Sequence, residues 1–299
     1  MLKVENVTKY YGDFLAVDKL SFTVKPGEIF GLLGVNGAGK TTTFRMIMGL
    51  LDSDSGSVTL NGKPIDYSQT DYIGFLTEER SLLTKMTVRE QCLFFGTLKG
   101  MSREKIIERL QYLLDKFEIP EYIDKKIKEL SKGNQQKIQF ITAVLNEPKL
   151  LILDEPFAGL DPFNVEMFKK EIIEMAEKGS MIIFSTHRMD HVELFCKKLV
   201  VLLRGKTVIS GYLSDIKEQY RKKNILIKAD ITKKKLEKID GVTEVIEKAD
   251  EFEVKIEDKN KVKNVFDVIS KTKNVTKFVV EEPSLNEIFI AKVGENYEK

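Results

Sequence analysis

Eight residues early in the chain, Gly34-Val35-Asn36-Gly37-Ala38-Gly39-Lys40-Thr41, match the pattern GxxxxGK[ST]. By average residue usage such a match arises by chance in roughly one chain in a hundred of this length. Its flanks sharpen it. Glu28 to Leu33 is an apolar run ending in glycine, and from Thr41 the apolar positions Phe44, Ile47, Met48 and Leu51 have helical spacing. Asp52-Ser53-Asp54-Ser55-Gly56 then supplies turn residues. A buried strand, a glycine loop and a helix in that order give an α/β unit that presents backbone N–H groups and a helix N-terminus to phosphate oxygens. Lys40 is then a point charge for the β- and γ-phosphates of a nucleotide, and the Thr41 hydroxyl a Mg²⁺ ligand. The competing reading is a glycine-rich turn without a ligand, which needs neither Lys40 nor Thr41.

The second requirement of such a site is a hydrophobic strand ending in aspartate. Leu150-Leu151-Ile152-Leu153-Asp154-Glu155 supplies it. Asp154 is expected to hold Mg²⁺ through water. Glu155, immediately beside it, can orient or deprotonate an attacking water. Leu150 to Leu153 and Met181 to Phe184 suit central strands of a parallel sheet covered on both faces. Ser21 to Val24 reads as a further strand, and Lys25-Pro26-Gly27 as a turn. From about Ser81 to Leu145 the period is mostly helical, with Ile106, Leu110, Leu113, Leu114 and Phe117 on one apolar stripe that reads as core.

Beyond about Leu213 glycine becomes scarce, and short strands alternate with charged amphipathic helices. Strands at Asn224–Lys228, Val242–Glu247, Glu251–Ile256 and Val275–Val280, and helices at Lys233–Ile239, Lys261–Ser270 and Ser284–Val293, give the order βαββαβ of a small α+β ferredoxin-like domain. The expected domains are residues 1–213, with a helical subdomain at about 79–149, and residues 214–299.

The 299 residues carry 48 Lys and Arg against 46 Asp and Glu, a net charge of +2, so bulk charge gives no reason to expect nucleic acid. The lysine runs Lys222-Lys223 and Lys233 to Lys235 are interleaved with acids and read as solvated faces. Cys92 and Cys196 form no CxxC pair, which fits a reducing cytosol. The N-terminus lacks a signal-peptide core, and the longest apolar runs, such as Leu199 to Leu203, are too short to cross a bilayer.

Three motifs in order carry a family resemblance: Gly34 to Thr42 (GVNGAGKTT), Leu130-Ser131-Lys132-Gly133-Asn134-Gln135-Gln136, and Leu151 to Pro162 (LILDEPFAGLDP). Together they resemble the motifs of ABC ATPases, P-loop NTPases with a helical subdomain. The likeness covers roughly Met1 to Leu213. Ser185-Thr186-His187 resembles the family's switch-histidine loop, and Tyr11 falls where the family stacks an aromatic on adenine. The resemblance implies ATP and Mg²⁺ as ligands, with Tyr11, Gly34, Val35, Asn36, Gly37, Ala38, Gly39, Lys40, Thr41 and Thr42 on the nucleotide. It implies Thr41, Asp154 and Glu78 on the metal, and Glu155 and His187 in catalysis. It also implies an ATP-dependent homo- or heterodimer in which Ser131, Gly133, Asn134 and Asp161 serve the nucleotide held by the partner.

Lys132 and Asn134 stand where LSGGQ has glycine and glutamine, and Glu78 stands at the usual Q-loop glutamine. Lys132 adds positive charge near phosphate, and Glu78 can still accept Mg²⁺ or water. Gly74 to Arg80 (GFLTEER), Met86-Thr87-Val88, the LSKGNQQK stretch and Pro283 to Phe289 resemble the drug- or sodium-exporter branch with a small C-terminal domain. That branch implies a cytoplasmic subunit, peripheral on the inner face of the cell membrane, energising a separate transmembrane permease. Soluble ABC ATPases acting on ribosomes or DNA are the alternative, but the former carry two ATPase domains in one chain and the latter long coiled coils. A P-loop kinase or GTPase would lack the second signature, and the GTPase base-recognition motif Asn-Lys-x-Asp is absent from the sequence.

Overall fold

Strand-forming residues fill most of the first 24 positions, but two kinks at left-handed residues, Asn6 (φ 49°) and Lys19 (φ 46°), interrupt their alternation. In the computed structural model, which describes residues 1–79, 81–220 and 222–297, they form β1 (Leu2–Tyr11) and β2 (Phe14–Val24), paired antiparallel with register shifts near both kinks. The strand expected at Ser21 to Val24 is thus the end of a much longer one. β3 (Ile29–Gly34) is buried throughout and feeds α1 (Lys40–Ile47). β4 (Ser55–Leu60) and β5 (Lys63–Pro64) extend the first sheet in the order β2-β1-β4-β5, and β6 (Ile73–Leu76) enters a second one.

The stretch expected to be mostly helical resolves into α2 (Val88–Leu98), α3 (Arg103–Lys116) and α4 (Lys132–Val144). Three hydroxyl caps mark where they start. Thr87 forms a reciprocal capping box with Glu90, while Ser102 accepts from the Lys105 amide and Ser131 from the Asn134 amide. Pro120 stands at the start of a single 3₁₀ turn, and a second such turn at Ile127–Glu129 precedes Ser131. The Ile106, Leu110, Leu113, Leu114 and Phe117 stripe is buried. Phe117 meets Phe140 of α4 at 5.6 Å.

β7 (Leu150–Asp154), α5 (Pro162–Glu177), β8 (Met181–Thr186), α6 (Met189–Phe195), β9 (Lys198–Leu203) and β10 (Lys206–Tyr212) follow. The second sheet has the order β10-β9-β3-β8-β7-β6, and β9, β3, β8, β7 and β6 run parallel. Side chains of β1 and β2, the Phe44–Met48 stretch and β3 share one apolar core, including Leu20, Phe44, Ile47, Phe30 and Ile183. Parallel strands put all their C-terminal ends on one edge, and there β3, β7 and β8 release Gly34, Asp154 and Thr186.

The chain divides into two units, Met1–Ser210 and Gly211–Lys299. The second contains α7 (Leu213–Gln219), β11 (Lys223–Lys228), α8 (Lys233–Leu236), β12 (Val242–Glu247), β13 (Phe252–Ile256), α9 (Val262–Ile269), β14 (Lys277–Glu281) and α10 (Leu285–Tyr297). Its antiparallel sheet runs β12-β13-β11-β14, the strand order of a βαββαβ split fold. Ile225, Ile227, Val254, Val265 and Ile269 fill its core. α8 stops at Leu236, three residues before the expected Ile239, because Leu236 is its only buried residue and Asp240-Gly241 turns the chain soon after.

Candidate functional site

Two glycines show why the loop after β3 has its sequence. Gly39 has φ +105°, and a Cβ there would lie 2.5 Å from the Ala16 carbonyl oxygen. Gly34 has φ +154°, and its Cβ would lie 2.6 Å from the Leu202 carbonyl oxygen. Neither position accepts a side chain without moving backbone. The Thr43 hydroxyl donates to the Gly39 carbonyl at 2.9 Å, and the Gly205 amide donates to the Ala38 carbonyl at 3.1 Å. Over this loop, Lys40, only 8% exposed, donates from Nζ to the Gly34 carbonyl at 2.6 Å and the Val35 carbonyl at 3.3 Å.

The parallel register sets the acidic edge. Asp154 of β7 lies opposite Ser185 of β8, whose hydroxyl donates to Asp154 Oδ1. Burial pushes the Asp154 carboxyl above its ordinary range, against the opposing pull of the Ser185 hydroxyl and the Lys40 ammonium, while Glu78 and Glu155 add to the rise. Thr41, Arg45, Glu78, Glu79 and Asp154 line one cavity of about 430 Å³. Among the described residues no three His, Cys, Asp or Glu side chains converge to hold a metal alone. A hydroxyl and two carboxylates are a hard-oxygen set that fits Mg²⁺, an ion that keeps several waters and takes further oxygens from phosphate.

Glu155 turns the chain at the end of β7 with φ 49°, a left-handed conformation uncommon outside glycine. Its amide donates to the Ser185 carbonyl at 3.1 Å. Its side chain is 9% exposed and its carboxylate closely held: Oε2 accepts from the Thr186 hydroxyl at 3.0 Å and Oε1 from the His187 amide at 2.7 Å. His187 Nδ1 lies 2.7 Å from the same Oε1, while the His187 side chain is 63% exposed. Such over-determination is how a strained residue at a reactive edge is kept in place.

The remaining candidates lie apart from this cluster. Ser131 caps α4 and is exposed, with Lys132 and Gly133 forming the first turn. Asp161 caps α5, accepting from the Asn164 amide at 2.9 Å and the Asn164 side-chain amide at 2.6 Å, and the Asn164 amide holds its carboxyl below the ordinary range. Among the described residues no hydrogen bond or ion pair joins Ser131, Gly133, Asn134 or Asp161 to Lys40, Asp154, Glu155 or His187. Tyr11 ends β1, paired across the hairpin with Phe14, and both rings are exposed. Arg80, the last residue of the GFLTEER stretch, lies outside the described residues. The roles of Arg45 in the cavity wall and of Ser185 and Thr186 as donors to the two carboxylates escape sequence reading, because each depends on which strands become neighbours.

The model of the ABC transporter family matches residues 17–158, and that of the ATP-binding protein DrrA1-3-like C-terminal domain matches residues 211–293. Over 298 residues, the full length of both chains, the sequence is 47% identical to the uncharacterized ABC transporter ATP-binding protein YhaQ of Bacillus subtilis. It is 36% identical to the Nod factor export ATP-binding protein I of Sinorhizobium fredii, over 70% of this chain and 62% of that one. A solved ATP-binding subunit of an ABC transporter superposes with a TM-score of 0.70 at 31% identity, over 74% of this chain and 93% of that one. A dimeric bacterial ABC transporter cassette superposes with a TM-score of 0.65 at 26% identity, over 71% and 99%. Full-length identity of this order, together with the superposition on a solved ATP-binding subunit, means that the chain belongs to the ABC transporter ATP-binding proteins and is an ATPase.

Proposed function

We propose that this ATPase is the cytoplasmic motor of an exporter, working as half of two composite sites and energising a separate membrane permease. The observation that carries the catalytic part is the Glu155 carboxylate, one residue beyond Asp154 and fixed by Thr186 and His187. Gly34 to Thr42 cradle the phosphates, and Lys40 exchanges the Gly34 and Val35 carbonyls for β- and γ-phosphate oxygens. Thr41, Asp154 and Glu78 would hold Mg²⁺, which supplies charge neutralisation on the phosphate oxygens. Glu155 accepts the proton of the attacking water, and His187 orients Glu155 and contacts the γ-phosphate. Tyr11 stacks on the base.

Ser131, Gly133, Asn134 and Asp161 complete the site of a second subunit. Ser131 offers a hydroxyl, and the residues after it the N-terminal amides of the 13-residue α4. Among the described residues no hydrogen bond or ion pair joins them to Lys40, which supports this division. ATP then favours the closed dimer, and hydrolysis releases it. The similarity to the Nod factor export ATP-binding protein I supports the direction of transport, and that to the probable multidrug ABC transporter ATP-binding protein YbhF of Escherichia coli supports a transport role. Among the described residues no helix is long and apolar enough to cross a membrane. In this proposal the transport path lies in another chain, with this subunit peripheral on the inner face.

Isolation of the tagged chain from membranes tests this reading. A polytopic membrane protein in stoichiometric yield is expected. Recovery with ribosomes or DNA and no membrane protein would favour the soluble alternative.

A further inference from the structure

Two buried glutamines hold both ends of the segment around Glu78 onto one face of α4. Gln139 on α4 is 4% exposed, and its Nε2 donates to the Thr77 carbonyl at 3.0 Å, the Thr77 hydroxyl at 3.0 Å and the Glu79 carbonyl at 3.2 Å. The Thr77 hydroxyl in turn bonds the Glu79 carbonyl and lies 3.3 Å from Ser81 Oγ, so one amide closes a turn whose middle residue is Glu78. Farther along, Leu83 donates its amide to Gln91 Oε1 at 2.8 Å. Gln91 Nε2 bonds the Thr142 hydroxyl at 2.9 Å, and Thr142 is itself tied back to the Ile138 carbonyl at 2.8 Å. Gln139 and Thr142 are three residues apart, on one face of α4.

The backbone around them leaves little play. A Cβ at Gly74 on β6, just before Thr77, would lie 2.3 Å from the Ala143 carbonyl oxygen of α4. Strand β6 and α4 are therefore in direct backbone contact. Gln139 Oε1 has no partner among the described residues, so the loop acceptors alone orient the amide.

We infer that Gln139 is a positioning residue that couples the Glu78 turn to the helix that Ser131 caps. This rests on the proposed roles of Glu78 and Ser131. A displacement of Glu78 toward a metal–nucleotide complex pulls on Thr77 and Glu79, and Gln139 passes it to α4 as a rigid body. The chain then presents Ser131 to a second subunit according to what its own cavity holds. The amide matters for its donors: glutamate in its place sets a carboxylate against the Thr77 and Glu79 carbonyl oxygens, and methionine fills the space with no donor.

The test is amide hydrogen exchange in the full chain and in the variants Gln139→Met and Gln139→Glu, without nucleotide and with Mg·ATP. With Mg·ATP, exchange at Gly133 to Gln136 changes in the parent chain and stays unchanged in both variants, although ATP still protects Gly37 to Thr41. A merely structural role would leave that difference intact. An α4 response that survives in both variants overturns the coupling. So does a parent chain that binds ATP without any α4 response, an outcome that leaves the ATPase assignment standing. Should Gln139→Glu fail to fold, Thr77→Val removes the shared hydroxyl and is expected to lose the α4 response in the same way.

Discussion

Glu155 and His187 are joined twice: Glu155 Oε1 accepts the His187 amide at 2.7 Å and lies 2.7 Å from its Nδ1. The backbone half of this contact survives any side-chain change at 187, so removing the imidazole separates orientation from fold. In His187→Ala the carboxylate keeps the amide and the Thr186 hydroxyl but loses the ring and its reach to the γ-phosphate. ATP hydrolysis is expected to fall about a hundredfold, with ATP affinity near that of the parent chain. Phosphate release and nucleotide binding, measured on the same preparation, check it.

Lys40 makes its contacts to carbonyl oxygens of its own loop, and phosphate oxygens are the stronger acceptors for an ammonium. Lys40→Ala is expected to weaken ATP binding by at least about tenfold, while leaving the melting temperature of the nucleotide-free chain little changed. Equilibrium binding of a fluorescent ATP analogue reads the first effect, and calorimetry the second.

Gly39 tests the loop itself. With φ +105° and the Ala16 carbonyl in the space of a Cβ, Gly39→Ala costs about 2 kcal/mol or more unless the loop changes shape. Either outcome removes ATP binding. Calorimetry and ATP titration together distinguish lost stability from a rearranged loop.

Asp154 gives a dependence on pH with a definite sign. Its carboxyl is pushed up mainly by burial, so the native chain holds this proton more tightly than the unfolded chain does. The contribution to stability is greatest below the ordinary aspartate value and is lost as pH rises through the raised one. At pH 7 the buried charge is a cost, and Asp154→Asn is expected to raise the melting temperature of the nucleotide-free chain, by about 2–4 °C per kcal/mol relieved. The gain shrinks toward pH 3. Stabilisation by Mg²⁺ beyond that by ATP alone disappears in the same variant.

The strand ends were legible wherever apolar runs met polar punctuation. Leu150 to Glu155 is four buried apolar residues and then two acids. The first sheet was not legible, because the kinks at Asn6 and Lys19 break the period-two pattern that marks a strand. Nor were the donors that hold the carboxylates. Ser185 meets Asp154 only because β7 pairs with β8 in that register, and strand order is a property of the whole sheet. Gln139 is the extreme case, since nothing in the LSKGNQQK run or its continuation points to Thr77, 62 residues away.

The most direct test of shared composite sites is the mass in solution of the Glu155→Gln chain, with and without ATP. Without its general base the chain is expected to keep ATP bound and accumulate as a pair. Light scattering should therefore report one chain without nucleotide and two with it, and the added change Ser131→Arg should return the value to one. A mass of one chain in every condition, with ATP bound, would contradict sites shared between subunits.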